Sequence, residues 1–359
     1  MGATSSRARA ASTSTSTEAS PKAFFEDLRI TIDEQDVPVS VWWPANGSEG
    51  ACVTAGPYSH KISLAKITSV LFRLGRKLPT FLDKELGLEP GKGICAGDSG
   101  SVAGLESRSS LKAVILCHGY LGSRFDLVDL AEGLAKSGFV VAAPEFAESL
   151  SCSETLPKAS QDGIGIGAAR DDILREVQAQ VLSDRFGIKE KSSISLVGHS
   201  AGAGTAVLTR GRFGARVAIA GFRKQQEDAV LDPLLVIASE GDNVIGIEGI
   251  NASVASVGFA VPQFDSPRSL SASMAGDSEA PRTAFLKYAG PASPCHISFL
   301  SSRTNEAMVQ VLAPLLPVAR LLGVPLLDFD VYEQTRDSSA ISKDLIPAVT
   351  SWLLEQMAT

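Results

Sequence analysis

A serine lies in a tight, small-residue turn between an apolar segment and a helix-like segment. Ser193–Val197 reads SISLV, which predicts a buried strand, and Gly198–Gly202 follows it directly as GHSAG. In that context the G-x-S-x-G pattern is typical of a nucleophile elbow, which exposes the serine hydroxyl at a helix N-terminus. Small neighbours leave room for the strained backbone that such a turn needs. We therefore predict that Ser200 is a nucleophile; the alternative is a glycine-rich turn without chemistry.

A serine nucleophile needs a general base, and the chain has four histidines, His60, His118, His199 and His296. His118 lies at the end of a predicted strand and is more readily explained as structural. His199 is adjacent to Ser200, so its side chain is expected to point away from the hydroxyl. His60 precedes the predicted core strands. Elimination leaves His296, in the stretch PASPCHISFL, as the predicted base; the alternative is an ordinary buried imidazole.

A carboxylate that orients the histidine tautomer and stabilises the imidazolium would complete a catalytic triad. The apolar run LLVIA is a predicted strand, and Asp242 lies just after its end, a typical position for such a group. Glu240, in the same turn, is the second candidate. A third interpretation makes Asp242 a solvated turn residue, because Asp-rich turns are common. We predict that Asp242 is the acid.

Two backbone N–H groups are the candidates for an oxyanion hole. Lys112–Cys117 is a predicted strand that runs into His118-Gly119-Tyr120, and Ala201 is the first residue after the nucleophile. The N–H groups of Tyr120 and Ala201 would face the negative charge that develops on a carbonyl oxygen, and the helix N-terminus adds its dipole.

The elements that must position these residues alternate between strand and helix from about residue 112. Strands are predicted at Lys112–Cys117, Phe139–Pro144, Ser193–Val197, Val217–Ala220, Leu234–Ala238 and Ala284–Tyr288, and helices at Phe125–Lys136, Ala168–Leu182, the stretch from the elbow to about Arg210, and Ser339–Met357. This alternation predicts an α/β fold with a mostly parallel central sheet and helices on both faces. Sites in such folds lie at the carboxyl ends of the strands.

The segments around this core are less regular. Arg29–Ile32 and Pro38–Trp43 are predicted to form an antiparallel pair. Gly97–Ser110 is predicted as a surface loop. The stretch from about Asn243 to Arg282 is rich in Gly, Ala and Ser, and we predict a lid-like insertion there.

The first residues, 1–22, form a low-complexity tail that we predict to be disordered, and residues 23–359 are predicted to form one domain. The tail has two functional interpretations. Its Ser-, Thr- and Ala-rich, acid-poor start resembles a transit peptide for a plastid or mitochondrion. The start MGATSS also fits N-myristoylation, with Gly2 as the acceptor and Ser6 in the required place. Both interpretations predict an intracellular protein, cytoplasmic or organellar.

The composition of the chain excludes several classes of binding partner and cofactor. The net charge of −7 and pI near 5.3 argue against nucleic-acid binding, and no run of ~18 apolar residues predicts a transmembrane helix. Five cysteines without a CxxC pair argue against a disulfide scaffold or a structural zinc site, and we predict neither a metal nor a cofactor. Residues 61–82 have basic and apolar positions at helical spacing. They predict either peripheral contact with a lipid surface or a helix packed on the sheet.

The stretch VILCHGYLGSRFDLVDLAEGLAKSGFVVAAPEF, followed by LVGHSAGAG, resembles the α/β-hydrolase superfamily. It is particularly similar to the platelet-activating-factor acetylhydrolase group, with chlorophyllases as near relatives. The upstream VSVWWPA is similar to the W-[YW]-P-[AT] element of that group. The similarity covers about Val37–Ala45 and Leu111–Val207.

The resemblance implies a serine esterase with Ser200 as nucleophile, His296 as base and Tyr120 and Ala201 in the oxyanion hole. The triad acid of the acetylhydrolase group usually follows the strand after the nucleophile helix, but here that strand ends VAIAGFRKQ, without a carboxylate at the turn. Asp242 matches the commoner superfamily position, one strand later. The implied substrate is a lipid-like ester, such as a short-chain acyl phospholipid. The alternatives are a chlorophyllase-type substrate and an inactive hydrolase fold that binds a ligand.

Overall fold

A computed structural model provides the fold of most of the chain. The residues that it describes are 22–32, 35–45, 55–63, 85–89, 92–95, 111–151, 168–222, 232–257, 260–275, 280–314, 316–323, 326–335 and 337–358. The predicted tail before Lys22, the predicted loop 97–110 and residues 64–82 of the basic segment lie outside these ranges. The predictions made for them therefore stay predictions.

Strands and helices alternate as the sequence predicts. The strands are β1 (Lys22–Ile32), β2 (Gln35–Ala45), β3 (Ala55–Pro57), β4 (His60–Ser63), β5 (Glu85–Leu88), β6 (Lys92–Cys95), β7 (Ala113–Cys117), β8 (Val140–Pro144), β9 (Ile194–His199), β10 (Arg216–Ile219), β11 (Leu234–Ser239), β12 (Gln263–Phe264) and β13 (Thr283–Tyr288). The helices are α1 (Val128–Lys136), α2 (Ala168–Glu176, continued by a π-helical Val177–Ser183 and an α-helical turn Asp184–Phe186), α3 (Ala201–Leu208), α4 (Ile247–Ala255), α5 (Pro267–Met274), α6 (Ser302–Leu312), α7 (Leu316–Leu321) and α8 (Ser338–Gln356). Within the described residues, none of these helices is long and apolar enough to cross a membrane.

Eleven of the described strands form one sheet in the order β12-β13-β11-β10-β9-β7-β8-β2-β1-β6-β3. The strands from β12 to β8 are all parallel, and β2 and β1 add an antiparallel pair at the side of β8. Strands β7, β8, β9 and β11 are buried along their whole length and mostly apolar, because helices cover both faces of a parallel sheet. The antiparallel pair matches the one predicted from Arg29–Ile32 and Pro38–Trp43.

The register of the sheet brings the predicted site residues to one edge. Cys117, the last residue of β7, pairs with Gly198 near the end of β9, and His199 pairs with Ile219 of β10. The chain therefore leaves β7 and β9 at the same level, and the loops that carry Tyr120 and Ser200 meet there. Strands β11 and β13, parallel to the same set, end on the same side.

The segment that we predicted to be a lid-like insertion, from about Asn243 to Arg282, differs from that expectation. It contains helices α4 and α5, and both pack on the body of the protein. From α4, Ile250 and Val254 join a buried cluster with strand residues, while Leu270 of α5 belongs to the main core. The sequence did contain a start signal for α5, since Ser266 caps the helix and Pro267 occupies its first turn.

Arg216 of β10 connects the sheet to the end of helix α3, the helix that follows the predicted nucleophile. Its buried guanidinium donates from Nε to Asp232 Oδ2 at 2.7 Å. The other guanidinium nitrogens donate to four carbonyl oxygens at and beyond the C-terminal end of α3, those of Ala206, Val207, Thr209 and Gly211. These carbonyls have no partner within the helix, so Arg216 satisfies the end of α3 and fixes its direction.

Replacing Arg216 with Met should destabilise the fold by about 3–5 kcal/mol, because Asp232 would remain buried without its partner. Urea unfolding followed by circular dichroism measures this change. Arg175→Met is the matched control: its guanidinium is 67% exposed and pairs with Asp172, so the free energy of unfolding should change by less than about 0.5 kcal/mol. Equal losses in the two variants would contradict the role given to Arg216.

Candidate active site

Ser200 occupies the strained turn that the G-x-S-x-G pattern predicts. It lies between β9 and α3 with φ 57° and ψ −121°, a backbone conformation that non-glycine residues rarely adopt. Two glycines make this turn sterically feasible. A Cβ at Gly198 would lie 2.0 Å from the carbonyl oxygen of Gly202, and a Cβ at Gly202 would lie 2.0 Å from that of Cys117. Any side chain at either position would push α3 away from the sheet.

The imidazole of His296 accepts a hydrogen bond from the hydroxyl of Ser200, the candidate nucleophile. Its Nε2 lies 2.9 Å from Ser200 Oγ, and its Nδ1 lies 2.8 Å from Asp242 Oδ2. The hydrogen-bond network assigns the tautomer: Nδ1–H donates to the carboxylate, which leaves Nε2 free to accept the serine proton. The structure thus brings together the three residues that the sequence places 42 and 54 positions apart along the chain.

Asp242 is held in place by its own turn. Its Oδ1 accepts from the backbone N–H groups of Val244 at 2.9 Å and Ile245 at 2.8 Å, so Oδ2 is directed at the imidazole. Glu240, the second candidate for the acid, lies outside the site. Its carboxylate is on the surface, where it pairs with Lys287 at 2.8 Å. That hydrogen bond to Lys287 lowers the pKa of Glu240.

The remaining histidines are buried near the site in supporting positions. His199 donates from Nε2 to the carbonyl oxygen of His296 at 3.0 Å, and the two rings are 4.7 Å apart. Burial and the nearby imidazole of His296 hold the pKa of His199 well below its ordinary value, so the ring is neutral. His118 donates from Nδ1 to the carbonyl oxygen of Gly119 and accepts from the N–H of Phe146, in agreement with the structural role predicted for it.

His60 lines the same cavity as Ser200. Its position in the chain did not indicate this, because His60 precedes the predicted core strands, and we exclude it as the base for that reason. Its ring contacts the Phe125 ring edge-on, at 5.2 Å between centroids. Burial lowers the pKa of His60 to about 4, so it is neutral near pH 7. The imidazole that forms a 2.9 Å hydrogen bond with the Ser200 hydroxyl is that of His296.

The two predicted oxyanion donors lie on either side of the nucleophile. Ala201 is the first residue of α3, where a backbone N–H has no partner within the helix. On the other side, the loop after β7 comes so close that a Cβ at Gly119 would lie 3.1 Å from the Cβ of Ser200. Tyr120 follows in that loop and lines the cavity. Arg170 secures the loop from below through a 3.0 Å hydrogen bond to the carbonyl oxygen of His118.

A cavity opens above Ser200, with about 1170 Å³ of space including its mouth. Its floor is polar and contains the site residues. Its far wall is apolar and comes from the segment after His296, including helices α6 and α7. The apolar residues of this wall are Ile297, Leu300, Met308, Leu312, Leu316, Ala319, Leu326, Leu327 and Phe329. The sequence reasoning missed this wall, because α6 and α7 were not predicted and the lid was expected in the segment 243–282.

Solved structures resemble this architecture. A ferulic acid esterase from Streptomyces cinnamoneus superposes with a TM-score of 0.53 at 15% identity, over 94% of this chain and 90% of that one. The chain has the α/β-hydrolase fold. Two further structures give lower TM-scores. An α/β-hydrolase from a Medee basin deep-sea metagenome library has a TM-score of 0.44 at 10% identity, over 93% of this chain and 99% of that one. An esterase from Thermogutta terrifontis has a TM-score of 0.41 at 12% identity, over 81% of this chain and 90% of that one.

Sequence comparison adds nothing to the structural result. No protein-family model matches the chain, and no curated protein sequence is significantly similar to it. At these identities the structural likeness establishes the α/β-hydrolase fold alone, and the grouping with acetylhydrolases or chlorophyllases stays a prediction. The fold alone does not determine the chemistry, which depends on the residues of the site.

Asp126 is a buried carboxyl on the floor of the cavity. Ser123 Oγ donates to its Oδ1 at 3.0 Å, but burial dominates and raises the pKa of Asp126 from 3.8 to about 7. The folded chain therefore keeps a proton that the unfolded chain loses near pH 3.8. The free energy of unfolding consequently falls as the pH rises between those two values.

The variant Asp126→Asn cannot ionise, so its free energy of unfolding relative to wild type should increase by up to about 4 kcal/mol between pH 4 and pH 8. Urea titrations at pH 4, 6 and 8 measure this difference. Asp172→Asn serves as the control for the substitution itself, because its carboxylate is exposed. A pH-independent difference for Asp126→Asn would contradict the raised pKa.

Proposed function

We propose that the protein is a serine esterase that hydrolyses a lipid-like carboxylic ester without a metal or cofactor. The observation that supports this most directly is the continuous hydrogen-bond chain from Ser200 Oγ through His296 to Asp242, at 2.9 and 2.8 Å. Such a chain lets a neutral imidazole remove the serine proton while a buried carboxylate stabilises the resulting imidazolium. The strained turn and the open cavity above Ser200 give a substrate access to the hydroxyl.

The proposed reaction has two halves. Ser200 Oγ attacks the ester carbonyl carbon as its proton moves to His296 Nε2, and the N–H groups of Tyr120 and Ala201 stabilise the oxyanion. The C–O bond to the alcohol breaks, and the imidazolium returns the proton to the leaving alkoxide oxygen. Water, deprotonated by His296, then attacks the acyl-enzyme. The acid product leaves and the serine recovers its proton.

The apolar wall of the cavity supports a lipid-like substrate. An acyl or alkyl chain there would remove its methylene groups from water, with a gain of about 0.8 kcal/mol for each one buried. Within this class we propose a short-chain acyl phospholipid, as in the acetylhydrolase group that the sequence resembles. A chlorophyllase-type ester is the rival, and the solved esterase from Streptomyces cinnamoneus makes an aromatic ester worth including in a panel.

Contact with a membrane would deliver such a substrate. We propose that the N-terminal tail, residues 1–22, targets the protein to a membrane or an organelle. It would do so through myristoylation of Gly2 or through import into a plastid or mitochondrion. Mass spectrometry of the N-terminus of the purified native protein distinguishes a myristoylated glycine from a cleaved leader.

A fluorophosphonate probe tests the reaction class, because it labels an activated serine irrespective of the natural substrate. We expect labelling of the wild type and none of Ser200→Ala. A panel of p-nitrophenyl esters, acetyl phospholipids, feruloyl esters and chlorophyll then ranks the substrates by kcat/KM. Absence of labelling in a folded wild type would favour the alternative function, an inactive hydrolase fold that binds a ligand.

Separate substitution of the two neighbouring carboxylates tests the proposed acid. Asp242→Asn should lower kcat by about 10⁴-fold, because the amide would favour the wrong histidine tautomer. Glu240→Gln is the matched control and should keep kcat within about twofold, since the Glu240 carboxylate pairs with Lys287 and accepts a hydrogen bond from the N–H of Gly290 at the surface. Full activity in Asp242→Asn would remove Asp242 from the mechanism.

A tryptophan at Ala319 tests which end of the cavity holds the acyl chain. Ala319 of α7 is buried and lines the wall, whereas its neighbour Val318 is 44% exposed on the outer face. In the wild type each added methylene should raise kcat/KM by up to about fourfold. Ala319→Trp should abolish this gain for octanoate esters and spare acetate esters, while Val318→Trp should leave the series unchanged. An unaltered chain-length series in Ala319→Trp would place the acyl chain elsewhere.

A further inference from the structure

Asp328 contacts two loops of the proposed triad, the loop that carries the acid Asp242 and the loop that carries the base His296. A single oxygen, Oδ2, accepts from the backbone N–H of His296 at 2.9 Å and from that of Asn243 at 3.0 Å. Asn243 directly follows Asp242 in the chain. The carboxylate of Asp328 therefore joins the two loops.

The buried N–H of His296 needs an acceptor from outside its own loop. His296 is the first residue of a 3-10 helix, Asp328 and His296 are buried, and a first-turn N–H has no partner within its helix. On the acid side, Asp242 already uses Oδ1 to accept from Val244 and Ile245. Asp328 supplies the missing acceptor, and its negative charge strengthens both bonds.

The backbone at Asp328 is strained in the same place. Asp328 has φ 66° and the preceding Leu327 has φ 50°, so two consecutive residues with side chains lie in the left-handed region. Aspartate tolerates that region better than most residues, and leucine does not. Strain of this kind persists only where surrounding interactions hold it, and the two hydrogen bonds to Oδ2 are such interactions.

The same segment connects the triad to the cavity. Leu327 and Phe329, on either side of Asp328, both line the apolar wall above Ser200. The position of this wall is thus tied, through one carboxylate, to the positions of Asp242 and His296.

We propose that Asp328 is a positioning residue that sets the distance between the acid loop and the base loop and fixes the apolar wall of the cavity against them. The inference rests on the proposed esterase function of Ser200, His296 and Asp242. Asp328 does not touch the reacting atoms; it acts through the backbone of His296 and Asn243.

Two substitutions separate the acceptor from the backbone strain. Asp328→Asn keeps an oxygen acceptor and tolerates the positive φ, whereas Asp328→Gly tolerates the positive φ and removes the acceptor. The matched control is Asp330→Asn, because Asp330 lies two residues on and its carboxylate pairs with the exposed Arg320. Thermal unfolding by circular dichroism establishes that each variant is folded at the assay temperature.

We expect Asp328→Gly to lower kcat and the rate of fluorophosphonate labelling by about 10- to 100-fold, with KM for p-nitrophenyl acetate within threefold of wild type, because a small displacement of a catalytic group carries a penalty of this size. Asp328→Asn should recover kcat to within about threefold, and Asp330→Asn should match the wild type. Wild-type kcat in Asp328→Gly, or an equal loss in Asp328→Asn, would overturn the inference. If Asp328→Gly does not fold, Asp328→Glu, which keeps the charge but displaces the acceptor, must show the loss in kcat.

A proton NMR measurement keeps this test independent of the esterase proposal. The Nδ1 proton that His296 shares with Asp242 should give a downfield resonance, identified by its absence in Asp242→Asn. This resonance should disappear or shift in Asp328→Gly and persist in Asp328→Asn. If the wild type is not labelled and the resonance responds in this way, the esterase proposal fails and the positioning role stands. An unchanged resonance in Asp328→Gly would overturn the positioning role.

Discussion

The turn at Ser200 is the constraint on which the rest of the site depends. A serine at φ 57° and ψ −121° is stable only if the strand before it and the helix after it approach more closely than side chains normally allow. Gly198 and Gly202 permit that approach, and the pairing of Cys117 with Gly198 seats the turn against the end of β7. The hydroxyl therefore stands clear of the sheet, beside the helix N-terminus and the loop that contains Tyr120. Arg216, at the other end of the helix, keeps its axis in line with the turn.

Parallel strands make the proposed triad geometrically possible. Because β9, β11 and β13 all end on the same side of the sheet, residues that lie far apart in the chain reach one another through short loops. The acid follows its strand by three residues, but His296 lies eight residues beyond Tyr288 and needs additional support. That support comes from the carbonyl contact with His199 and from the Asp328 carboxylate. A buried N–H such as that of His296 depends on an acceptor of this kind.

In the proposed function, different parts of the chain bind the substrate and carry out the reaction. The polar floor of the cavity comes from the loops at the strand ends, and the apolar wall comes from α6, α7 and the segment up to Phe329. This wall is inserted between His296 and helix α8, so the proposed base and the surface that would bind an acyl chain are consecutive in sequence. Asp328 lies where these two parts meet, which is why a single carboxylate can influence both.

Local patterns in the sequence were sufficient for the α/β fold, for six of the seven described parallel strands and for the strained turn at Ser200, because hydrophobic periodicity and a glycine-rich elbow act over a few residues. They were not sufficient to separate Asp242 from Glu240, since both are carboxylates in one turn and only packing decides that one faces His296 and the other Lys287. Elimination by chain position reached His296 but overlooked that His60 lines the same cavity. Asp328 had no local signal, because its partners lie 32 and 85 residues away. Contacts between distant segments depend on how loops pack, and only the tertiary structure determines that.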